Sequence, residues 1–238
     1  MEWVNIIEKG LAKKAQQDHV FPGERISLAP DILLLSGNSI LSIIEEFYEL
    51  NHRKVLHPSA TFILQNRLDE RDEINTFSEK YGVVLLEPEE EHHLHLVSLS
   101  EKVITGVEGK IGAFGAFSAI PLKVSPAAMA KCLGEGTIEL TIPETIYIEL
   151  NGELNGSQKV ERLCDYLKDY FHDSLIGYGV ILGGEALNRF DIEEKRRLTT
   201  FLYELGGAIG VISPSGPLGQ VESVVKIKTY QISRKYTV

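Results

Sequence analysis

The stretch with the greatest potential for chemistry is EPEEEHHLHL at residues 87–96, which places three histidines behind four glutamates. Imidazole and carboxylate groups bind Zn²⁺ and also act as general acids and bases. On a strand, His93 and His95 would point to one face and could chelate a metal with a glutamate from 89–91. Alternatively, His92 or His93 binds a ligand, or the stretch is a solvated strand edge. The strand edge is favoured, because no distant Cys or His motif completes a metal set.

Alternating strand and helix patterns along the chain would position these residues, and they predict an α/β protein with a mainly parallel sheet. Buried strands are expected at 32–35 and 83–88, and further strands at 54–58, 101–106, 208–214 and 223–230 and as a hairpin around 151–152. Helices are expected at 70–81, ended by Gly82, at 126–133 and 159–171, and at 191–205, where Asp191 is the expected N-cap and Gly206 the stop. We expect one unit over residues 1–238; the alternative is two lobes of about 1–135 and 136–238.

Composition excludes several classes of function. A net charge of −10 argues against nucleic-acid binding, which depends on neutralising phosphates with Lys and Arg. No apolar run approaches the ~18 residues that span a bilayer, so no membrane role is expected. The charged N-terminal segment lacks a signal core, which favours a cytoplasmic protein. Two cysteines, Cys132 and Cys164, cannot build a disulfide scaffold.

Two small-residue stretches are further candidates for ligand binding. Gly112, Ala113 and Gly115 could open a helix whose N-terminus binds a carboxylate or phosphate, although close packing of helix on sheet needs small residues too and is favoured. Ser213 and Ser215, in the loop SPSGPLG, could cover a carboxylate, but an ordinary flexible loop is favoured.

An ordered series of motifs resembles the aconitase and 3-isopropylmalate dehydratase large-subunit family. The series consists of GAFGA at 112–116, an alanine-rich helix at 127–130, IPETI at 142–146 and GEL at 152–154. Similar elements on both sides extend the resemblance over nearly the whole chain. It implies the three-layer α/β/α architecture of the aconitase-type N-terminal domains, in a shortened form.

The resemblance implies hydro-lyase chemistry, but the residues that would perform it are largely missing. The family holds a [4Fe–4S] cluster with three cysteine thiolates, and two cysteines cannot do so, so no cluster is expected in this chain alone. Positions expected to carry other catalytic groups hold different residues here: Asn38, Ser59, Ala60, Ile181, Lys195 and Thr200. Near the GAFGA motif, Glu108 and Lys110 are the only ionisable groups between residues 103 and 111.

These substitutions predict a non-catalytic protein with a binding, regulatory or assembly role. A small carboxylate is the expected ligand, and a second copy or a partner chain of hydro-lyase type is the expected protein partner. The alternative is a split hydro-lyase subunit whose partner supplies the cluster ligands. A metal-independent activity would have to use His92, His93, Glu108 or Lys110, the weak catalytic candidates.

Overall fold

Helices and strands alternate along the chain in the computed structural model, which describes residues 4–64, 71–87, 98–154, 156, 158–172, 175–217, 219–228 and 232. The described helices are α1 (Ile6–Ala15), α2 (Ile40–Glu49), α3 (Arg71–Tyr81), α4 (Pro126–Glu135), α5 (Lys159–Phe171) and α6 (Ile192–Glu204). The described strands are β1 (Arg25–Leu28), β2 (Ile32–Ser36), β3 (Thr61–Leu64), β4 (Val84–Leu86), β5 (Val103–Gly106), β6 (Ile120–Lys123), β7 (Ile138–Thr141), β8 (Thr145–Asn151), β9 (Gly179–Gly183), β10 (Ile209–Ile212) and β11 (Ser223–Lys228).

Two parallel sheets organise these elements. The first sheet has the strand order β4-β3-β2-β5-β6, and the second has the order β10-β9-β8-β11. All pairings within both sheets are parallel, whereas β1 and β7 form a separate antiparallel pair. The predicted α/β class with mainly parallel sheets is therefore confirmed, and helices flank the sheets as a three-layer fold requires.

The first sheet is buried on both faces, because successive side chains of a strand point in opposite directions. Leu33 and Leu35 of β2 join a core cluster that includes Phe47 of α2. Leu34, between them, joins a different cluster that includes Phe114. Phe114 belongs to a 3₁₀ helix, Gly109–Phe117, hereafter the Gly-Ala segment. That segment therefore covers the face of the first sheet opposite α2.

Several predicted helix ends are confirmed. Asp191 caps α6 in a capping box: its side chain accepts from the Glu194 N–H, and the Glu194 carboxylate accepts from the Asp191 N–H. Gly82 comes directly after α3 with φ +71°, and Gly206 lies just beyond α6 with φ +88°, a left-handed conformation that glycine adopts without strain.

Three local predictions are wrong. No hairpin forms at 151–152, because β8 is a buried strand paired in parallel with β9 and β11 on its two sides. No strand covers 54–58; Pro58–Ala60 is a short 3₁₀ helix that leads into β3. The GAFGA stretch, expected to start an α-helix, lies in the 3₁₀ helix of the Gly-Ala segment, and β6 comes directly after it.

Candidate functional site

The first sheet has a topological switch point between β2 and β5. From β2 the chain runs to β3 and β4 on one side, whereas β5 returns to pair with the other side of β2. The crevice outside the carboxyl ends of two such strands is where parallel α/β proteins commonly bind ligands. Residues 37–39 leave β2 there, and residues 107–110 leave β5, so the structure brings two of the family-like stretches to one edge.

A carboxylate and a main-chain amide meet at this switch point. The Asn38 N–H donates to Glu108 Oε1 over 2.8 Å. Gly37 has φ +69°, and a Cβ added there would lie 2.0 Å from Glu108 Oε1. The left-handed backbone at residue 37 favours glycine, and the absence of a side chain there leaves room for the carboxylate. Glu108, a weak catalytic candidate, is engaged in holding the loop after β2.

A groove of about 600 Å³, the α6 groove, runs beside the Gly-Ala segment. Lys110 and Ala113 of that segment form one wall, and α5 forms the other. Its lining residues are Lys110, Ala113, Val160, Glu161, Cys164, Asp165, Glu193, Arg196, Arg197, Thr200, Phe201 and Glu204. Two candidate residues from the sequence, Lys110 and Ala113, and the family-related position Thr200 therefore line one surface. Lys195 is not among the lining residues.

Two arginines that were not predicted from the sequence are the main cations of the α6 groove. Arg197 pairs with Glu161 of α5 over 2.6 Å, and Arg196 pairs with Glu193 over 3.1 Å. A hydrogen bond from its own backbone N–H, together with one from Arg197, holds the pKa of the Glu161 carboxyl below its usual range. Lys110 forms no ion pair with any described residue. In the sequence, these arginines could have been found from a stripe of polar residues on α6, spaced by three and four residues from Glu193 to Glu204.

Gly112 and Gly115 lie against α6 and β10. A Cβ on Gly112 would be 2.7 Å from the Tyr203 ring, and one on Gly115 would be 1.9 Å from the Gly210 carbonyl oxygen. Contacts this close exclude any side chain, which favours the packing alternative for these glycines. Their role in binding a ligand, and that of Ala113, stays a prediction.

Ser213 and Ser215 lie in the turn after β10, away from the lining of the α6 groove. Ser213 is buried, its hydroxyl donates to the Gly216 carbonyl oxygen, and its N–H donates to the Leu182 carbonyl oxygen over 2.9 Å. Its polar groups thus stabilise the turn itself. Ser215 is exposed. The carboxylate-binding role of both serines stays a prediction.

The histidine-rich stretch comes after β4, but His92, His93 and His95, with the glutamates at 89–91, lie outside the described residues. Their predicted roles in metal or ligand binding are therefore untested. Among the residues that the structure does describe, no group of three or more His, Cys, Asp or Glu side chains could hold a metal ion. The described helices include none that is long and apolar enough to cross a membrane.

One catalytic motif of the family was expected at residues 57–60, but these residues lie at the edge of the first sheet opposite the switch point. Residues 57–60 precede β3, so they lie at its amino end, opposite the switch point. Residues that leave the carboxyl end of β3 begin at 65, which is outside the described part of the chain. Ser59 and Ala60 are therefore not the positions that would replace catalytic groups at the switch point. Ile181, in β9, is fully buried in the core.

The two cysteines do not fit a [4Fe–4S] cluster. Burial raises the pKa of the Cys132 thiol, and of the Cys164 thiol, to about 12, whereas cluster ligands are thiolates. Cys132 belongs to the core cluster of the first sheet, and Cys164 packs against that of the second. Three thiolates are required and this chain has two cysteines in separate places.

The sheets, their flanking helices and the ordered motifs resemble those of aconitase-type proteins. Among curated proteins, the chain is 22% identical over 253 residues to the 3-isopropylmalate dehydratase large subunit of Halothermothrix orenii, which covers 98% of this chain and 58% of that protein. It is 24% identical to 3-isopropylmalate dehydratase large subunit 1 of Pyrococcus furiosus, over 90% of this chain and 54% of that protein.

A third relative is the probable methanogen homoaconitase large subunit of Methanothermobacter thermautotrophicus, 22% identical over 98% of this chain and 59% of that protein. No family model matches the chain. The resemblance to the aconitase and 3-isopropylmalate dehydratase large-subunit family is thus confirmed. The chain spans a little over half the length of these curated relatives.

Proposed function

We propose that this protein is a non-catalytic member of the aconitase type, with a binding, regulatory or assembly role centred on the α6 groove. One observation carries the proposal. The groove contains Thr200, at a position where the family resemblance places a catalytic group, and it offers paired surface charges instead.

Dehydration of a hydroxy acid needs a Lewis acid or general acid, a base and support for the developing charge, all converging on one substrate. Glu108 is engaged by the Asn38 N–H, and burial raises the pKa of both thiols to about 12, which disfavours the thiolate form. Arg196 and Arg197 are held by neighbouring glutamates. These assignments leave Lys110 as the one catalytic candidate among the described residues of the α6 groove, which is too few groups for the reaction.

Small di- and tricarboxylates are the ligands that the proposal names first. Lys110, Arg196 and Arg197 supply three cations, but four carboxylates share the α6 groove with them. The nearly balanced charge predicts weak binding of a free carboxylate, with a dissociation constant on the order of a millimolar. Weak, reversible binding suits a sensing or regulatory role.

Isothermal titration calorimetry with citrate and malate tests this ligand class. Arg197→Gln should weaken citrate binding at least threefold, roughly the effect of losing one exposed charge contact. Lys168→Gln is the matched control, because Lys168 is an exposed cation on α5 that does not line the groove. Heat of binding that is identical in all three proteins, or absent from the unchanged protein, would refute binding of these carboxylates in the groove.

A second candidate function is a split hydro-lyase subunit. The curated relatives are named as large subunits, and this chain spans a little over half of each. A partner chain of hydro-lyase type would then supply the thiolates that this chain lacks. Anaerobic co-purification with a partner should yield brown protein that contains iron and turns over 3-isopropylmalate or citrate. Colourless, inactive complexes would refute this alternative. They would favour the non-catalytic role, in which the surface that contacts the partner joins two copies of the chain or binds another protein.

A further inference from the structure

A second groove, distant in sequence from the α6 groove, lies between α2 and α3. This α2–α3 groove has a volume of about 400 Å³ and is lined by Leu41, Ile44, Glu45, Tyr48, Asp72, Glu73 and Thr76. Its floor is apolar. Leu41, Ile44 and Tyr48 are spaced by three and four residues, so they form a stripe of about two turns along α2. Tyr48 is 41% exposed, and Leu50, just beyond the helix, is 46% exposed.

Ile44 belongs to the face with which α2 packs in the core, together with Ile40, Ile43 and Phe47, as an amphipathic helix requires. Leu41 is partly buried against that core, and the exposed Tyr48 extends the apolar surface beyond it. A surface helix of this kind would normally carry polar residues at positions 41 and 48. Tyr48 is held in place by its edge contact with Phe77, with ring centroids 6.1 Å apart, and by Lys80, whose ammonium lies 5.0 Å from the Tyr48 ring.

The charged residues in the described lining of the α2–α3 groove are all acidic, and Lys80 lies outside that lining, over the Tyr48 ring. Glu45, Asp72 and Glu73 line the groove, and the described lining includes no cation. No described cation lies within ion-pair distance of these three carboxylates, whereas carboxylates elsewhere on the surface are commonly paired with lysine or arginine. Asp72 and Glu73 also stabilise the first turn of α3 through the helix dipole. The dipole does not account for Glu45 or for the apolar floor.

We propose that the α2–α3 groove docks a basic amphipathic helix of a partner protein. Apolar side chains of that helix would cover Leu41 and Tyr48, and flanking lysines or arginines would pair with Glu45, Asp72 and Glu73. Apolar burial supplies most of the affinity in such helix-in-groove contacts, and complementary charge sets specificity and the rate of association. The site is independent of the function proposed for the α6 groove.

The test uses two synthetic helical peptides with leucines at helical spacing, one flanked by lysines and the other by glutamates. Fluorescence anisotropy with the full chain should show at least tenfold tighter binding of the lysine peptide at low salt, a preference that falls as salt rises. Glu73→Lys should weaken this binding about fivefold, because it adds repulsion at the rim. Glu79→Lys, an equal charge change on the same helix outside the groove, should leave it unchanged.

The second part of the test removes apolar side chains from the floor of the α2–α3 groove. Tyr48→Ser and Leu41→Ser should each weaken binding of the lysine peptide about tenfold, with the folded state checked by circular dichroism. Hydrogen exchange should show protection of α2 and α3 on addition of the peptide. Equal binding of the two peptides, equal effects of Glu73→Lys and Glu79→Lys, protection elsewhere or failure to bind would each overturn the proposal.

Discussion

The amino and carboxyl edges of the first sheet are built in different ways. At the amino edge, the Asp31 carboxylate accepts hydrogen bonds from Lys14 over 2.5 Å, from Lys102 over 3.1 Å and from the Val103 N–H over 2.9 Å. At the carboxyl edge, Glu108 accepts a hydrogen bond from the Asn38 N–H, and Lys110, two residues further on, lines the α6 groove. The amino edge is thus a closed network that joins α1, β2 and β5. The carboxyl edge is a tight turn at the place where parallel sheets commonly bind ligands.

Loss of the network at the amino edge should have the largest effect on stability. Asp31→Ala leaves Lys14, whose side chain is 22% exposed, without its partner, while Asp31 itself is 11% exposed. The expected loss in the free energy of unfolding is about 3 kcal/mol, typical of breaking a mostly buried pair. Urea denaturation measures it. Glu135→Ala, which removes an exposed pair with Lys131, is the control and should cost less than about 0.5 kcal/mol. Equal losses in the free energy of unfolding for Asp31→Ala and Glu135→Ala would show that the network at the amino edge is no more important than an exposed ion pair.

At the carboxyl edge, the largest effect is expected from Gly37→Ala. The substitution places a Cβ in a left-handed backbone and against Glu108, for an expected loss of about 2 kcal/mol. Gly23→Ala is a matched control, because Gly23 has φ +83° and nothing within 4 Å of its added Cβ. It should cost about 1 kcal/mol from backbone strain alone. If both variants lose the same stability, Glu108 does not crowd this turn.

The contribution of the amino edge to stability should also depend on pH. Burial tends to raise the pKa of Asp31, but hydrogen bonds from Lys14, Val103 and Lys102 outweigh it and hold the pKa below its ordinary value of 3.8. A depressed pKa in the folded state stabilises the protein above the unfolded pKa, and this stability is lost as pH falls through the folded value. Asp31→Asn should therefore flatten the fall in stability below about pH 4. A profile as steep as that of the unchanged protein would contradict this role of Asp31.

The smallest effect is expected from Glu108→Gln, which keeps the shape of the side chain but removes its charge. The weakened hydrogen bond to the Asn38 N–H should cost about 0.5–1 kcal/mol. Hydrogen exchange of the Asn38 amide should become faster. Glu185→Gln is the comparison at the second sheet, where Glu185 accepts from the Gly152 N–H over 3.0 Å and is exposed. A loss larger than that of Gly37→Ala would show that Glu108 has a greater structural role than the turn itself.

Local patterns predicted the elements of the fold well. Two signals depend only on residues that are close together in the sequence: the periodicity of residues 159–171 and 191–205, and the Asp191 cap. Helices are present at both places. The hairpin at 151–152 was wrong because an Asn-Gly pair signals a turn but does not determine which strands pair. The partners of β8 are two parallel strands that are distant in sequence, and only the tertiary fold brings them together.

Long-range assembly set the limit on predicting the site. Lys110, Glu161 and Arg197 line one groove although 36 to 87 positions separate them, and no local signal joins them. Asp31 and Lys102 meet across 71 positions for the same reason. The number of cysteines, by contrast, can be counted directly in the sequence; the inference that two cysteines cannot hold a cluster that needs three thiolates stays a prediction.

The central claim is that this chain by itself cannot assemble an iron–sulfur cluster and perform dehydration. The most direct measurement is anaerobic reconstitution of the purified chain with iron and sulfide, and then iron analysis and assays with 3-isopropylmalate and citrate. We expect no stoichiometric iron after desalting and no turnover. Four iron atoms per chain together with turnover of either substrate would contradict the account.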